Sequence, residues 1–301
     1  MNKLCPICSS NKGFLSYNFL DHSFKKCLNC KSIFSDAIYE TNDLDKIYNE
    51  KYFRIDYKNG DTYDYFSNKE KKIFGCLEQL KVISEFIFPF KNLKILDVGC
   101  AAGYFLELAK RNGFETSGIE ISKEAANFAR REFNLEIISP DLLSAPDNKK
   151  YDIITMFHVL EHLPYPKEHL NKVYNLLNPG GMLFVQVPNL FTLDSIFDKK
   201  IKERTFDIPY HLSMISPKGL RLIGKSAGLK IIEERFYFSS VIGGAIKNIF
   251  SRFKFKNNSK IKDSEETRGQ QLNYSTKRPA LLKISSYVFR GNNMMVIFQK
   301  K

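Results

Sequence analysis

Several features that define large classes of protein are missing from this chain of 301 residues. No apolar run approaches the ~18 residues that a membrane-spanning helix needs. No apolar region typical of a signal peptide follows the first residues, and we see no internal repeat or low-complexity tract. We therefore expect a globular, cytoplasmic protein, and a hydrophobic content of 43% is enough for a substantial core.

Two common phosphate-binding motifs are also absent or incomplete. The chain has no G-x-x-x-x-G-K-[ST] motif, which argues against a nucleoside triphosphatase. The run ILDVGCAAG at residues 95–103 contains Gly99 and Gly103, but it lacks the third glycine of the dinucleotide-binding fingerprint. What remains is a short buried strand, a turn of small residues, and a helix that begins near Tyr104. Gly99, Ala101 and Gly103 allow a ligand to approach the backbone, and the helix start offers free N–H groups.

A carboxylate follows the next predicted strand, about twenty residues after the glycine turn. Residues 116–119 are suited to a strand, and Glu120 comes directly after them. An acidic side chain at this position can hydrogen-bond both hydroxyls of a ribose. Strands and helices alternate further along the chain, which is typical of a parallel sheet covered on both faces. The combination predicts a nucleoside-binding α/β domain.

Between residues 93 and 235 the motifs resemble, in order, those of the class I S-adenosylmethionine-dependent methyltransferases. The first motif of that family, D-x-G-x-G-x-G after a hydrophobic residue, is matched from Asp97 onward, with Ala101 in the middle glycine slot. Glu120 matches the family's ribose-binding acid. Asp141 matches the acid that reads the adenine amino group.

The resemblance continues through the later strands. Residues 151–157 match the fourth strand of the family, and residues 178–181 followed by 182–187 match a turn and the fifth strand. Residues 229–238 and 293–299 would then be the last two strands, which form an antiparallel hairpin at one edge of the sheet. The implied fold is a Rossmann-like, seven-stranded α/β sheet.

The resemblance also implies that S-adenosylmethionine is the cofactor. The residues expected to bind it are Asp97, Gly99, Cys100, Ala101, Gly103, Glu120, Ile121, Asp141, Leu142 and Phe157.

Four of the six cysteines form two C-x-x-C pairs, and eighteen residues separate the pairs. Each pair lets two thiolates reach one ion from a tight turn, so that two pairs complete a tetrahedral site. We predict that Cys5, Cys8, Cys27 and Cys30 bind a structural zinc ion. Such an ion would stabilise a segment of about forty residues that is too small for a core of its own. The alternatives are two disulfides or a redox pair, which suit a cytoplasmic chain poorly.

These patterns predict three consecutive parts. Residues 1–40 form a zinc ribbon, residues 41–90 a helical connector or lid, and residues 91–301 the methyltransferase domain. Within the connector, apolar residues recur at helical spacing over residues 68–88. Residues 239–290 form a long insertion before the last strand.

The positive charge of the chain is concentrated near its C-terminus. From residue 243 onward there are 13 lysines and arginines and 3 acidic residues, whereas the whole chain has a net charge of +13. Such a segment could contact nucleic acid or an anionic membrane surface at the inner face. Residues 236–262 mix aromatic residues with lysines, which suits membrane contact or a cover over the substrate. A solvated loop is the remaining alternative.

Three of the five histidines lie in two segments that follow predicted strands. His158, Glu161 and His162 leave the fourth strand at the edge where ligands of open α/β sheets bind. Their spacing places them on one face if the segment makes a helical turn. His211 lies in a loop before a helix that Ser216 and a following proline begin.

Three interpretations of this cluster stay open. His158 or His211 could remove a proton from a substrate hydroxyl or from a carbon beside a carbonyl. Alternatively, Glu161, His162 and His211 could hold a divalent metal that orients a hydroxyl or diol. RNA 2′-O-methyltransferases that depend on metal carry Glu-x-x-Glu-His and a distant His, and in this chain His158 replaces the first Glu. In the third interpretation, Glu161 and His162 only brace the turn.

The sequence therefore predicts methylation of a small-molecule or glycan-type acceptor at oxygen or carbon. The Asn/Asp-Pro-Pro-Tyr/Phe motif that usually accompanies methylation of exocyclic amines is absent after the fourth strand. Relatives with a zinc ribbon and the H-x-x-E-H motif include sugar C-methyltransferases. One alternative is an rRNA or tRNA methyltransferase, since some rRNA enzymes carry a zinc module and this chain is basic. Another is a non-catalytic zinc-ribbon adaptor, against which the intact cofactor motifs argue.

Overall fold

The structure is a computed structural model that describes residues 4–19, 22–36, 66, 69–190, 206–208, 210–237 and 293–301. The predictions for residues 41–65 of the connector and for the basic insertion at 239–290 lie outside these residues. So does the predicted membrane-contacting segment 236–262, apart from its first two residues. In the described part of the chain, no helix is long and apolar enough to cross a membrane.

Eleven strands and five α-helices make up the described part of the chain. The strands are β1 (Phe14–Phe19), β2 (His22–Cys27), β3 (Ile33–Ser35), β4 (Lys94–Val98), β5 (Glu115–Ile119), β6 (Glu136–Ser139), β7 (Tyr151–Phe157), β8 (Leu177–Pro188), β9 (Ser213–Met214), β10 (Leu229–Tyr237) and β11 (Asn293–Lys300). The α-helices are α1 (Lys69–Ser84), α2 (Tyr104–Arg111), α3 (Lys123–Phe133), α4 (Pro166–Leu176) and α5 (Pro217–Ser226). A 3₁₀ turn spans Leu160–His162.

The larger sheet has seven strands in the order β10-β11-β8-β7-β4-β5-β6. Strands β4 to β8 pair in parallel, whereas β11 pairs antiparallel with both β8 and β10. The predicted fold class and the antiparallel hairpin at the sheet edge are confirmed. Because β4, β5 and β7 run in parallel, their carboxyl ends at Val98, Ile119 and Phe157 meet at one edge of the sheet.

Helix starts follow from local capping chemistry. The Ser122 hydroxyl accepts a hydrogen bond from the Ala125 amide at the start of α3, the role that serine commonly has before a helix. The Ser216 hydroxyl accepts from the Gly219 amide at 2.8 Å, and Pro217 occupies the first turn of α5. These caps satisfy amides that have no partner within the helix.

Two sequence predictions need correction. The strand expected to begin at residue 182 begins at Leu177, and the turn expected at residues 178–181 lies within it: Leu177 pairs with Tyr151 and the next partner pair is Met182 with Ile153, so that four residues of β8 stand opposite one residue of β7. The helix expected over residues 68–88 ends at Ser84. Its residues Leu80 and Ile83 are buried in one apolar cluster with residues of the large sheet, which fixes the helix against the domain.

The smaller sheet joins the cysteine-rich segment to the methyltransferase domain. Its order is β1-β2-β3-β9, so that β9, which lies just after His211, completes a sheet begun near the N-terminus. Buried Cys5 and Cys30 share one apolar cluster with Ile215 and Leu220. The division into parts at residues 1–40, 41–90 and 91–301 stays a proposal, and the first part is packed tightly on the last.

Candidate functional site

A cavity of about 470 Å³ opens at the carboxyl edge of β4, β5 and β7. This volume lies within the range of small-molecule sites, roughly 300–1,000 Å³. Of the ten residues predicted to bind the cofactor, those that line the cavity are Asp97, Gly99, Cys100, Ala101, Glu120, Ile121, Asp141, Leu142 and Phe157. The tenth, Gly103, is not part of the lining.

The glycine turn serves packing as much as ligand approach. Gly99 has a positive φ of 72°, and a Cβ there would lie 2.5 Å from Val159 in the loop after β7. Gly103 has a φ of 81°, and a Cβ there would lie 2.5 Å from Leu135. Ala101, in the middle glycine slot, also has a positive φ of 48°. Gly99 thus allows the segment that follows β7 to pack against the cofactor turn.

Glu120 is buried and held by two backbone amides. The Ala101 and Ser122 amides each donate to one of its carboxylate oxygens at 2.8 Å. Burial raises the pKa of Glu120, and these hydrogen bonds oppose that effect. Each oxygen keeps a further lone pair, so this fixed carboxylate can accept hydrogen bonds from a ribose diol in the cavity.

Asp97 is a second buried carboxylate on the cavity wall. Its Oδ1 accepts a hydrogen bond of 2.7 Å from the Thr155 hydroxyl. Burial raises its pKa to about 7, the Thr155 hydrogen bond opposes this rise, and the charge of Glu120 adds to it. A cation in the cavity would therefore lower the pKa of Asp97, and the ionised carboxylate would in turn attract that cation.

Asp141 lies at the opposite end of the lining, after β6. Its Oδ1 accepts hydrogen bonds from the Leu143 amide at 2.7 Å and the Ser144 amide at 3.3 Å, and the Ser144 hydroxyl bonds to Oδ2. The side chain thus shapes the turn around it and remains on the cavity surface.

Sequence reasoning missed two contributions to the cavity. One face of α1 supplies Lys72, Gly75, Cys76 and Gln79 to the lining. Their spacing of i, i+3, i+4 and i+7 places them on one face of the helix, beside its apolar stripe, and this could have been read from the sequence. Buried His169 on α4 also lines the cavity, and its helical position gave no comparable signal.

The segment after β7 places His158 on the cavity wall. His158 has a φ of 58°, an uncommon value for a residue other than glycine that is often found at functional sites. Its backbone amide donates to the Gln186 carbonyl at 2.8 Å. Its Nε2 lies 3.1 Å from the Gln186 side-chain nitrogen, and its Nδ1 lies 3.4 Å from Glu161 Oε1. An amide nitrogen only donates, so these contacts assign the ring proton to Nδ1, facing Glu161.

Glu161 is 1% exposed, and among the described residues neither of its carboxylate oxygens has a partner at hydrogen-bonding geometry, although His158 Nδ1 lies 3.4 Å from Oε1. Burial is the largest influence on its pKa and by itself raises it. His158, His162 and His211 outweigh burial, so the pKa of Glu161 lies below its ordinary value. A buried carboxylate surrounded by three imidazoles is a strong negative centre, and two of those imidazoles, His158 and His162, line the cavity.

His162 and His211 pack against each other beside this carboxylate. Their ring centres are 4.7 Å apart, and His162 Nε2 lies 4.0 Å from Glu161 Oε1. His162 Nδ1 contacts the Tyr210 carbonyl at 3.0 Å. Burial lowers the pKa of His162 to about 4, and the neighbouring His211 adds to this effect.

The two histidines reach the site differently. His162 belongs to the cavity lining, whereas His211 is not part of it and lies behind His162. The ligand atoms of Glu161, His162 and His211 all lie within 4.8 Å of one another. The structure therefore brings together the residues that the sequence pairs across about fifty positions.

The four cysteines predicted to bind zinc also meet. Their sulfur atoms all lie within 4.8 Å of one another, with 3.7 Å between Cys5 and Cys30 and 3.8 Å between Cys8 and Cys27. Zinc–sulfur bonds of ~2.3 Å at tetrahedral angles place ligand sulfurs ~3.8 Å apart. These distances fit a Cys₄ metal site and are far too long for disulfide bonds.

The fold and the cavity together define a class I S-adenosylmethionine-dependent methyltransferase. A family model described as a methyltransferase domain matches residues 56–234, which is more than half of the chain. The chain therefore belongs to this methyltransferase-domain family, and its cofactor is S-adenosylmethionine.

Similar proteins carry more specific names. The ubiquinone biosynthesis O-methyltransferase of Aeromonas salmonicida (strain A449) is 28% identical over 153 residues, which cover 46% of this chain and 63% of that protein. The protein of the same name from Hydrogenovibrio crunogenus is 26% identical over 176 residues, which cover 53% of this chain and 73% of that protein. The chain thus spans less than two thirds of the length of the first of these two relatives.

Solved structures show the same fold. Magnesium protoporphyrin IX methyltransferase (ChlM) from Synechocystis PCC 6803, with bound SAH, has a TM-score of 0.53 at 14% identity and covers 87% of this chain and 100% of that chain. A SAM-dependent methyltransferase from Archaeoglobus fulgidus has a TM-score of 0.50 at 21% identity and covers 79% and 100%. At these identities the likeness extends to the fold alone.

Proposed function

We propose that this chain methylates an oxygen of a small-molecule acceptor and that His158 takes the acceptor proton. The observation that carries this proposal is the position of His158, which lies on the wall of the cofactor cavity with a buried carboxylate at its Nδ1 side. The names of the relatives from Aeromonas and Hydrogenovibrio support oxygen as the acceptor atom.

The cavity residues divide the binding of S-adenosylmethionine among them. Glu120 accepts from the ribose hydroxyls, Asp97 faces the cationic amino group, and Asp141 lies toward the adenine. The bound cofactor supplies an activated methyl group on a sulfonium. The protein's remaining work is to hold the acceptor oxygen in line with that methyl group and to remove its proton.

Proton removal is assigned to Nε2 of His158. The neutral tautomer that the contacts favour leaves the Nε2 lone pair on the side of Gln186, where an acceptor hydroxyl can replace the amide contact. As the ring takes the proton, Glu161 stabilises the imidazolium through Nδ1. A positioned base of this kind contributes ~10²–10⁴-fold to the rate.

A metal-assisted mechanism is the second candidate. It is favoured by Glu161, whose two buried oxygens lack hydrogen-bond partners within the described residues, and by the closeness of the His162 and His211 ligand atoms. These three residues would hold a divalent ion that orients the acceptor oxygen and lowers its pKa. Full turnover after exhaustive dialysis against a chelator that spares the cysteine-bound metal would remove this candidate.

The proposal is tested with a panel of phenolic, aliphatic-alcohol and sugar acceptors and labelled S-adenosylmethionine. Product analysis then separates O-methylation from C-methylation. With an acceptor in hand, His158→Ala should lower kcat by ~10²–10⁴-fold and leave the affinity for S-adenosylhomocysteine nearly unchanged. His22→Ala on β2 is the matched control, because that ring is exposed and remote from the cavity. Full turnover by the His158 variant would exclude it as the base.

We also propose that Cys5, Cys8, Cys27 and Cys30 hold one structural zinc ion. The sulfur spacing supports this assignment, and a Cys₄ set leaves no open position for chemistry. Glycan acceptors, nucleic-acid acceptors and membrane contact through residues 236–262 stay predictions.

A further inference from the structure

The cysteine-rich segment makes a continuous set of contacts with the stretch that carries His211. Strand β3 pairs with β9 through Ile33 with Met214 and Phe34 with Ser213. The β9 strand has only two residues, so it depends on its neighbours to keep its position. It begins two residues after His211.

Leu212 connects the two sides through its own peptide groups. Its carbonyl accepts a hydrogen bond of 2.8 Å from the Ser35 amide at the end of β3. Strand β3 follows the turn at residues 27–30, which we call the cysteine knuckle. Its amide donates at 2.9 Å to the Glu161 carbonyl in the turn beside the cavity. Leu212, next to His211, therefore joins the cysteine-rich segment to the 3₁₀ turn Leu160–His162, which we call the cavity turn.

The second cysteine pair also contacts the start of α5 directly. The Ser216 amide donates to the Ser32 hydroxyl at 3.0 Å, and the Ser216 hydroxyl donates to the Cys30 carbonyl. Lys218 donates to the Asn29 carbonyl at 2.7 Å. Packing leaves no spare room at this junction, because a Cβ on Gly219 would lie 2.2 Å from the Ser32 hydroxyl.

Residues 210–214 are thus held between the cysteine knuckle and the cavity turn. On the cavity side, the Tyr210 carbonyl contacts His162 Nδ1, and the His211 ring packs against the His162 ring. On the other side, the knuckle is a short segment whose fold the proposed zinc ion would stabilise. Loss of the metal would release the β3–β9 pairing and, with it, the support of both histidines.

We infer that the Cys₄ metal site positions the acceptor side of the active site: through Leu212, it fixes His211 and His162 against Glu161. The metal takes no part in the chemistry. Its role is to keep β9 in register between the knuckle and the cavity turn. This inference rests on the proposed function only in treating His162 and His211 as part of the acceptor site.

The first test removes the metal from the intact chain with a chelator and follows the Leu212 amide by hydrogen exchange and the histidine rings by NMR. We expect exchange at Leu212 to accelerate by at least about tenfold and the His162 and His211 resonances to shift. S-adenosylhomocysteine should bind as before, which would show that the methyltransferase domain stays folded. Buried His169 on α4 is the internal reference, and its resonance should hold.

A second test keeps the metal in place. Gly219→Ala introduces the Cβ that collides with Ser32, so it should disturb Leu212 and both histidines while metal content and S-adenosylhomocysteine affinity stay at wild-type levels. The control is Ser226→Ala at the far end of α5, whose hydroxyl bonds only within its own helix region.

The outcomes separate cleanly. If chelation frees the amides of the knuckle but leaves Leu212 exchange and the His162 and His211 resonances unchanged, the inference is overturned. The inference is also overturned if Gly219→Ala displaces Ser32 but leaves hydrogen exchange at the Leu212 amide unchanged. Because no readout uses an acceptor, failure of the methyl-transfer proposal would leave these results interpretable.

Discussion

Asp97 is the residue whose ionisation the site controls most directly. It lies at the end of β4, is almost fully buried, and has a pKa raised to about 7. Thr155 donates a hydrogen bond to it, and no cationic side chain in the described part of the chain contributes to this pKa. In the proposed site the amino group of the cofactor fills this role, so cofactor binding and Asp97 ionisation should be linked.

Asp97→Asn should stabilise the cofactor-free protein at pH 8. The folded-state pKa of Asp97 is raised from an ordinary value of 3.8, so the native state holds its proton more tightly than the unfolded state does. Its contribution to stability is present below pH ~4 and is lost as the pH rises toward 7, by at most about 4 kcal/mol. Thermal unfolding across this range should show that the melting temperature of the variant rises relative to that of the wild type as the pH rises.

The same variant should bind S-adenosylhomocysteine more weakly, with an affinity that no longer rises with pH. In the wild type, affinity should increase as the pH passes through about 7, because ionised Asp97 attracts the amino group. Calorimetric titrations on either side of this pKa measure both trends. If the affinity for S-adenosylhomocysteine depends on pH in the same way in both proteins, Asp97 does not contact the amino group of the cofactor.

Glu120 offers a prediction with a built-in control. Glu120→Ala removes the acceptors for a ribose diol and for the Ala101 and Ser122 amides, so it should weaken S-adenosylhomocysteine binding by ~1.5–3 kcal/mol for each lost hydrogen bond to the charged group. Glu120→Gln keeps one acceptor oxygen and should lose less. Undiminished calorimetric affinity in the alanine variant would take Glu120 out of the site.

At the scale of elements, local chemistry could be predicted and long-range pairing could not. The Ser122 and Ser216 caps are visible in sequence because each cap concerns only a few neighbouring residues. The partnership of β9 with β3 spans about 180 positions, and a two-residue strand carries no periodic signal. The interrupted pairing at residues 178–181 could be predicted as a turn, because asparagine, proline and glycine favour turns.

In the candidate site, too, some residues could be placed from the sequence, whereas others depend on tertiary contacts. The places of Asp97 near the end of its strand, and of Glu120 and Asp141 after theirs, could be predicted at the cavity edge, since parallel strands bring their carboxyl ends together. The lining face of α1 escaped prediction because the apolar stripe of that helix is its stronger signal. The place of His211 behind His162 depends on the small sheet, and that sheet is a tertiary feature.

The cysteine segment gives a prediction at this scale. Protein purified without added metal should contain close to one zinc ion per chain. Cys27→Ser should lower that content and unfold the segment, because a small metal-bound unit gains its stability from the ion, while the cofactor affinity changes little. Cys76→Ser, at a cysteine outside the cluster, is the control for metal content and for the fold of the segment, but not for cofactor affinity, because Cys76 lines the cavity. An ordered N-terminal sheet in metal-free protein would contradict the assignment.

For the molecule as a whole, the distribution of charge decides between two classes of partner. The excess of basic residues lies from residue 243 onward, whereas the proposed acceptor side is built around the buried carboxylate of Glu161, with three histidines beside it. The cavity volume of about 470 Å³ suits a cofactor with a small acceptor. On these grounds the basic segment is not needed for the proposed chemistry.

A salt series with labelled RNA tests this separation. Neutralised phosphates release counterions, so binding to single strands should weaken with a slope of about −0.7 per phosphate contact on a log–log plot. We expect only such non-specific binding at low salt and its loss by physiological salt. Deletion of residues 239–290 should abolish it and leave S-adenosylhomocysteine affinity unchanged. Tight RNA binding at physiological salt, with RNA accepting the labelled methyl group, would instead make this chain a nucleic-acid methyltransferase whose insertion carries the substrate to the cavity.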